Sequence, residues 1–327
     1  MSRVSKILVV ADPTAREQPA VTRALGIART LGARLEVFAC VYDQYISGER
    51  FFDSRGLEKS RASMVGHTIA TLEEMVDAID GGGVEISYAA RWDRPLDEGI
   101  VRQVLHSGAD LLVKDTHHHA PLKRSLFSNT DWNLIRTCPC PLLLVKPDTA
   151  YPYADIAAAV DPTHEHDKPA ALDRAIIAVA CELARESAAE LHFAHAFLPV
   201  SAAVCASAVP GAVIYPIDIS EEVIEQGHRE ALSKLVAKSP RRPDHVHMLP
   251  GRTNEVLQDL VAEKGIDLLV MGVVARNRLK RIFLGSTAER VLEHLNCDVL
   301  LVKSPGFETP VQSHGAHEAL REVPAPE

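Results

Sequence analysis

Short apolar runs alternate along the chain with longer stretches in which apolar residues recur every three or four positions. Residues 7–11, 35–41, 84–90, 111–113 and 142–145 are apolar, partly β-branched runs of strand length. Between the first two, 19–31 places Val21, Leu25, Ala28 and Leu31 on one helical face, and Gly32 follows as a stop. Further helices are expected over 57–79, over 95–106 with Pro95 near the start, and near 130–136. Residues 44–52 read as a loop. Strands that alternate with helices form βαβ units, and these build a parallel sheet. Five strands and four helices fit one doubly wound domain of flavodoxin size.

The pattern then starts again. Strands are expected at 156–160, 191–196, 246–249, 268–271 and 298–302, and helices at 170–186, 221–238 and 254–264. Thr253 or Asn254 is the expected N-cap of the last of these helices, and 199–216 is a loop rich in Ala, Val and Pro. A fixed offset of 157 lays residues 108–146 onto 265–303 without a gap. Asp110 falls on Asp267, Leu122-Lys123-Arg124 on Leu279-Lys280-Arg281, Thr130 on Thr287, and Cys140 on Cys297. The chain is therefore a tandem repeat of a domain-sized unit. The expected domains are 1–147 and 154–304, joined by a short Pro-bearing linker. Residues 305–327 lack periodicity and are expected to be a disordered tail.

Composition leaves this picture intact and narrows the partners. The chain has 327 residues, 46% hydrophobic and 24% charged, enough for two cores. A net charge of −9 argues against nucleic-acid binding and against a polybasic membrane contact. The N-terminal apolar run is too short for a signal peptide, and no stretch approaches a membrane span. A cytoplasmic location is expected. None of the six cysteines forms a CxxC pair, and disulfides are not expected. Cys140 and Cys297 sit before equivalent strands and read as small buried residues.

The chemistry concentrates in 267–303. An apolar strand ends at Met271-Gly272, a basic loop follows, and Gly285-Ser286-Thr287 opens a helix. Glycine lets backbone approach a ligand, and free N–H groups at a helix start attract phosphate. The first strand of this copy ends in Asp161. Ligands of open α/β sheets bind beyond the carboxyl ends of the strands, so Asp161 and the glycines should meet in one crevice. The plainer reading makes Asp161-Pro162 a strand-ending turn and leaves the glycines to turn geometry. In the first copy Asp12 remains, but Asp115, Ser128 and Asn129 replace Gly272, Gly285 and Ser286. Arg276, Arg278, Lys280 and Arg281 lie between the glycines. Two of these recur in the first copy as Lys123 and Arg124, which favours a surface role. His117-His118-His119 could bind a metal, but adjacent residues seldom face one ion, so no metal site is expected there. His164 and His166 read as exposed loop residues. Neither GxGxxG, a P-loop nor GxSxG is present, and no nucleophile–base set stands out.

These features together resemble the universal stress protein family in its tandem-domain form. Its ATP-binding members carry Gly, two residues, Gly, nine residues, then Gly-Ser/Thr. Gly272 and Gly285-Ser286 keep that spacing, while Ala275 stands where the family has its second glycine. The resemblance covers nearly all of 3–304. It implies two five-stranded parallel sheets of order 3-2-1-4-5, packed as a pseudo-dimer, and leaves room for a homodimer. It further implies a cytoplasmic protein of the general stress response, including resistance to oxidants and DNA damage. Carried over, the nucleotide contacts are Asp161, Met271, Gly272, Ala275, Gly285, Ser286 and Thr287. The implied ligand is ATP in the second domain, with no metal beyond a nucleotide-associated Mg and little or no turnover. Two other readings stay open. One is a binding module for an amphipathic metabolite lodged near 202–216. The other is a slow ATPase or self-phosphorylating protein with Ser286 or Thr287 as acceptor.

Overall fold

The computed structural model describes residues 4–43, 54–79, 82–116, 127–163, 170–199, 221–273, 276–278, 281–283, 286–313 and 319–323. These fall into two compact units. One is drawn from residues 2–152, 277–283 and 306–327, the other from 153–276 and 284–305.

In the first unit the elements run β1 Lys6–Val10, α1 Pro19–Leu31, β2 Arg34–Val41, α2 Ser54–Asp77, β3 Ile86–Trp92, α3 Leu96–Ser107, β4 Leu111–Asp115, α4 Asn129–Thr137 and β5 Leu142–Val145. The strands lie parallel in the order β3-β2-β1-β4-β5. The apolar runs became central strands because both faces of the sheet are covered. Ile7, Leu8 and Val9 are buried, as are Leu112, Val113 and all of β5.

The second unit repeats this as β6 Asp155–Ala159, α5 Ala170–Glu186, β7 Glu190–Phe197, α6 Glu221–Ala237, β8 His245–Pro250, α7 Thr253–Lys264, β9 Leu268–Val273, then α8 Ser286–His294 and β12 Asp298–Lys303. Its parallel order is β8-β7-β6-β9-β12, which is again 3-2-1-4-5. Between β9 and α8 the chain forms two short strands, β10 Arg276–Arg278 and β11 Arg281–Phe283, paired with each other. The basic stretch there is thus not simply a loop.

The repeated residues do the same work in both units. Asp110 accepts the Ser5 amide at 2.8 Å and the Lys6 amide at 3.1 Å. Asp267 accepts the Ala154 and Asp155 amides at 2.7 and 3.2 Å. Each carboxylate therefore secures the backbone entering its unit's first strand. The helices before β4 and β9 end on Gly108 and Gly265, both with φ of 65°. That left-handed conformation costs glycine little. Of the two cysteines expected to be buried, Cys297 is, whereas Cys140 is less enclosed than its neighbour Cys138, which is buried. Cys140 is half-buried; a hydrogen bond with Cys138, reinforced by burial, pushes its thiol well above the usual range.

The linker is tied to α1, where the Arg23 guanidinium donates to the Ala150 carbonyl at 2.9 Å and to that of Thr149. Two expectations need correction. The N-cap of α7 is Arg252, with no side-chain capping bond, rather than Thr253 or Asn254. The tail is not wholly disordered, and its residues group with the first unit. Arg102 Nε donates to the Gln312 carbonyl at 3.1 Å. Ala319–Val323 forms β13, antiparallel to β3, with Ala319 opposite Trp92 and Val323 opposite Tyr88. An edge strand carries a row of unpaired backbone groups, and β3 offers that row to the tail.

Candidate functional site

In the second unit the two strands expected to frame a crevice lie side by side. β6 and β9 are neighbours, with Ala159 opposite Met271. Asp161 and Gly272 therefore leave adjacent strands at the same end of the sheet. The Asp161 amide donates to Asp173 on α5 at 3.1 Å, and one Asp161 carboxylate oxygen accepts the Thr163 hydroxyl at 3.0 Å. The first unit repeats this turn, with Asp12 accepting from the Thr14 amide and hydroxyl at 2.8 and 2.7 Å. Because the turn persists in both units, shaping the strand exit is the shared role of the two aspartates.

Gly272 has a packing role that its position in the sequence did not show. A Cβ added there would lie 2.7 Å from Leu172 Cδ2 and 3.0 Å from Ile176 Cδ1, both on α5. Gly272 is absent from the glycines with positive φ, so its lack of a side chain matters for helix-on-strand closeness. Gly272→Ala is expected to cost about 1–3 kcal/mol through overpacking. Urea unfolding of the second unit's transition checks this, and an unchanged midpoint would contradict it. Met271 is buried. Ala275 and Gly285 lie outside the described residues. Ser286 and Thr287 form the first turn of α8.

The two units differ sharply at the start of the last helix. In the first, Ser128 caps α4: the Asp131 amide donates to Ser128 Oγ at 3.1 Å. Asp131 in turn accepts from the Ser128 amide and hydroxyl at 2.7 and 2.8 Å. Asp131 also pairs with Lys114 at 2.9 Å, its side chain only 2% exposed. The partial positive charge of the helix start is thus neutralised by the chain's own carboxylate. Adding the 157 offset, Lys114 becomes Met271 and Asp131 becomes Ala288. Both members of the ion pair are replaced by uncharged residues, and α8 starts without that internal anion. The sequence held this signal in two paired substitutions. It went unread because the tertiary contact between residues 114 and 131 was needed to join them.

Two histidines beside the crevice were also missed. His195 Nδ1 lies 3.2 Å from the Val160 carbonyl, and its Nε2 lies 2.9 Å from His228 Nδ1 on α6. The carbonyl can only accept, so His195 donates from Nδ1 and receives from His228. Both rings are buried. They hold the backbone that leads into Asp161.

The comparisons with known proteins agree with this architecture. The model of the Universal stress protein family matches residues 3–146 and again 152–303. Universal stress protein E of Escherichia coli (strain K12) is 29% identical over 314 residues, spanning 95% of this chain and 98% of its own length. Universal stress protein E of Photorhabdus laumondii is 28% identical over 315 residues, spanning 96% and 99%. A solved structure of a functionally unknown protein from Pseudomonas aeruginosa PAO1 is 26% identical, covers 92% of this chain and 93% of that one, and has a TM-score of 0.69. No helix among the described residues is long and apolar enough to cross a membrane.

Proposed function

The chain belongs to the universal stress protein family, and on that basis we propose that it serves the stress response by binding ATP or a related nucleotide in its second unit, with little or no turnover. The observation that carries this reading is the exchange of the Lys114–Asp131 pair for Met271 and Ala288. Position 288 of α8 carries no carboxylate where Asp131 stands in α4, although Glu289 follows in the same turn, and backbone donors left without that carboxylate suit a phosphate. In the first unit Asp131 already fills that role, so that copy is structural. Asp161 is the residue for a polar contact to ribose or base. Met271, Gly272, Ala275, Gly285, Ser286 and Thr287 would surround the phosphates, with Mg entering only alongside the nucleotide. No nucleophile–base arrangement was found in the sequence, which supports binding over catalysis. The protein acts in the cytoplasm, in resistance to oxidative or DNA-damaging stress.

Calorimetry with MgATP on the full chain and on Gly285→Glu tests the reading. Saturable binding by the wild type and its loss in the variant are expected, because a carboxylate is placed among the phosphates. Equal heats for both proteins, or none for either, would overturn it.

A second reading has one observation in its favour. A cavity of about 960 Å³ lies between α6 and β8, lined by Phe197, Leu232, Val236, Val246 and Met248, with Glu225 and Arg229 among its polar members. That mixture suits an amphipathic metabolite. A lipid-like mass retained in native mass spectrometry would favour it over the nucleotide. The apolar segment 202–216, named above for the same role, lies outside the described residues.

A further inference from the structure

At the amino ends of β6, β7 and β8, opposite the crevice, a set of metal-ligating side chains gathers that the stress-protein reading does not use. Side chains two apart on a strand share a face, so Glu190 and His192 point together on β7, as do His245 and His247 on β8. The register places His245 beside His192, and Asp155 beside Glu190. Ligand atoms of Glu190, His192 and His245 all lie within 4.8 Å of one another.

We propose that Glu190, His192 and His245 form a binding site for a divalent transition-metal ion of the zinc class. Imidazole nitrogen with one carboxylate oxygen is a donor set that suits zinc and its neighbours. His192 is held for the task. Its Nε2 lies 2.9 Å from Asp155 Oδ1, so the carboxylate takes that N–H and fixes the ring. A carboxylate behind a histidine is the usual outer support of a metal ligand. The opposite nitrogen, Nδ1, then accepts from His247 Nε2 at 3.0 Å, and an ion bound at Nδ1 would take the place of that N–H.

The geometry needs only a small contraction. Metal–ligand bonds of about 2.1 Å in a tetrahedron set neighbouring ligand atoms about 3.4 Å apart. The buried His192 side chain, 4% exposed, is the fixed point. Glu190 and His245 are exposed and free to rotate inward, and they already meet at 2.8 Å through Oε2 and Nε2. An ion would take the place of the hydrogen bond between them. Three protein ligands, on β7 and the edge strand β8, leave one coordination position to water or an outside ligand. The site shares no residue with the nucleotide crevice and stands independently of it.

Chelator-treated full-length protein is titrated with Zn²⁺ by calorimetry and with Co²⁺ by visible absorption. Two variants are compared. Glu190→Gln/His245→Ala removes two exposed ligands. Asn at 117, 118 and 119 removes the sequence's other histidine cluster. The wild type and the 117–119 variant are expected to bind about one ion per chain, with four-coordinate Co²⁺ absorption. The Glu190→Gln/His245→Ala variant is expected to bind at least ~100-fold more weakly. Asp155→Asn should weaken binding by roughly 10–100-fold and alter the Co²⁺ spectrum, as loss of an outer support does. The proposal fails if the wild type shows no saturable binding. It also fails if Glu190→Gln/His245→Ala binds as the wild type does, or if binding disappears only in the 117–119 variant.

Discussion

Ala288→Asp is expected to weaken nucleotide binding by at least ~100-fold, close to 2.7 kcal/mol, while the second unit still folds. The substitution rebuilds in the second unit what Asp131 does in the first. There the carboxylate accepts from the Ser128 amide at 2.7 Å and neutralises the helix start. In α8 the new carboxylate would take the same backbone donors and confront the phosphates with a like charge. Like charges brought together in an interface cost several kcal/mol, so the estimate is a lower bound. The same change should leave stability unharmed, because an acidic residue in the first turn of a helix is favourable. Calorimetry with MgATP and a thermal melt, run side by side, separate the two effects. Undiminished ATP affinity in a well-folded variant would show that the start of α8 is not the phosphate site.

Arg102→Met is expected to destabilise the first unit by about 3–5 kcal/mol. Arg102 on α3 pairs with Asp93 at 2.8 Å, and their side chains are 8% and 2% exposed. It also reaches Glu98 at 2.5 Å and the Gln312 carbonyl at 3.1 Å. Removing the cation leaves the buried Asp93 carboxylate without its ion-pair partner, with only the Arg94 amide at 2.7 Å among these contacts still serving it. Such a loss exceeds that of an exposed pair several-fold, because water cannot re-solvate the remaining charge. The tail should be affected as well, since Arg102 is one of its anchors. Hydrogen exchange at Ala319–Val323 should therefore rise ahead of global unfolding. Unchanged denaturant midpoints would refute the energetic argument, and unchanged exchange would refute the anchoring role.

Two helices, Pro19–Leu31 and Ala170–Glu186, have the bounds expected from the sequence. The strands came within one or two residues, because a buried parallel strand is a continuous apolar run and says so locally. The tandem repeat separated fold from function before any coordinates: Asp110 and Asp267 recur because each ties down its unit's first strand. Of the seven residues that the resemblance assigns to a nucleotide, Ala275 and Gly285 fall outside the described residues.

What the sequence by itself determined is the alternation of strand and helix, the doubling of the domain, the family resemblance and the strand ends where a ligand would be met. Each is a local or periodic property. What only the tertiary structure decided depends on residues far apart in the chain. Gly272 is small because α5 crosses it through Leu172 and Ile176. Lys114 and Asp131 prove to be one ion pair, which turns Met271 and Ala288 into a paired absence. The tail finds the open edge of β3. Glu190, His192 and His245 face one point because strand register, not sequence distance, sets their spacing. Local pattern fixes which element a residue joins, whereas charge partners and close approaches appear only once the sheet has brought distant strands side by side.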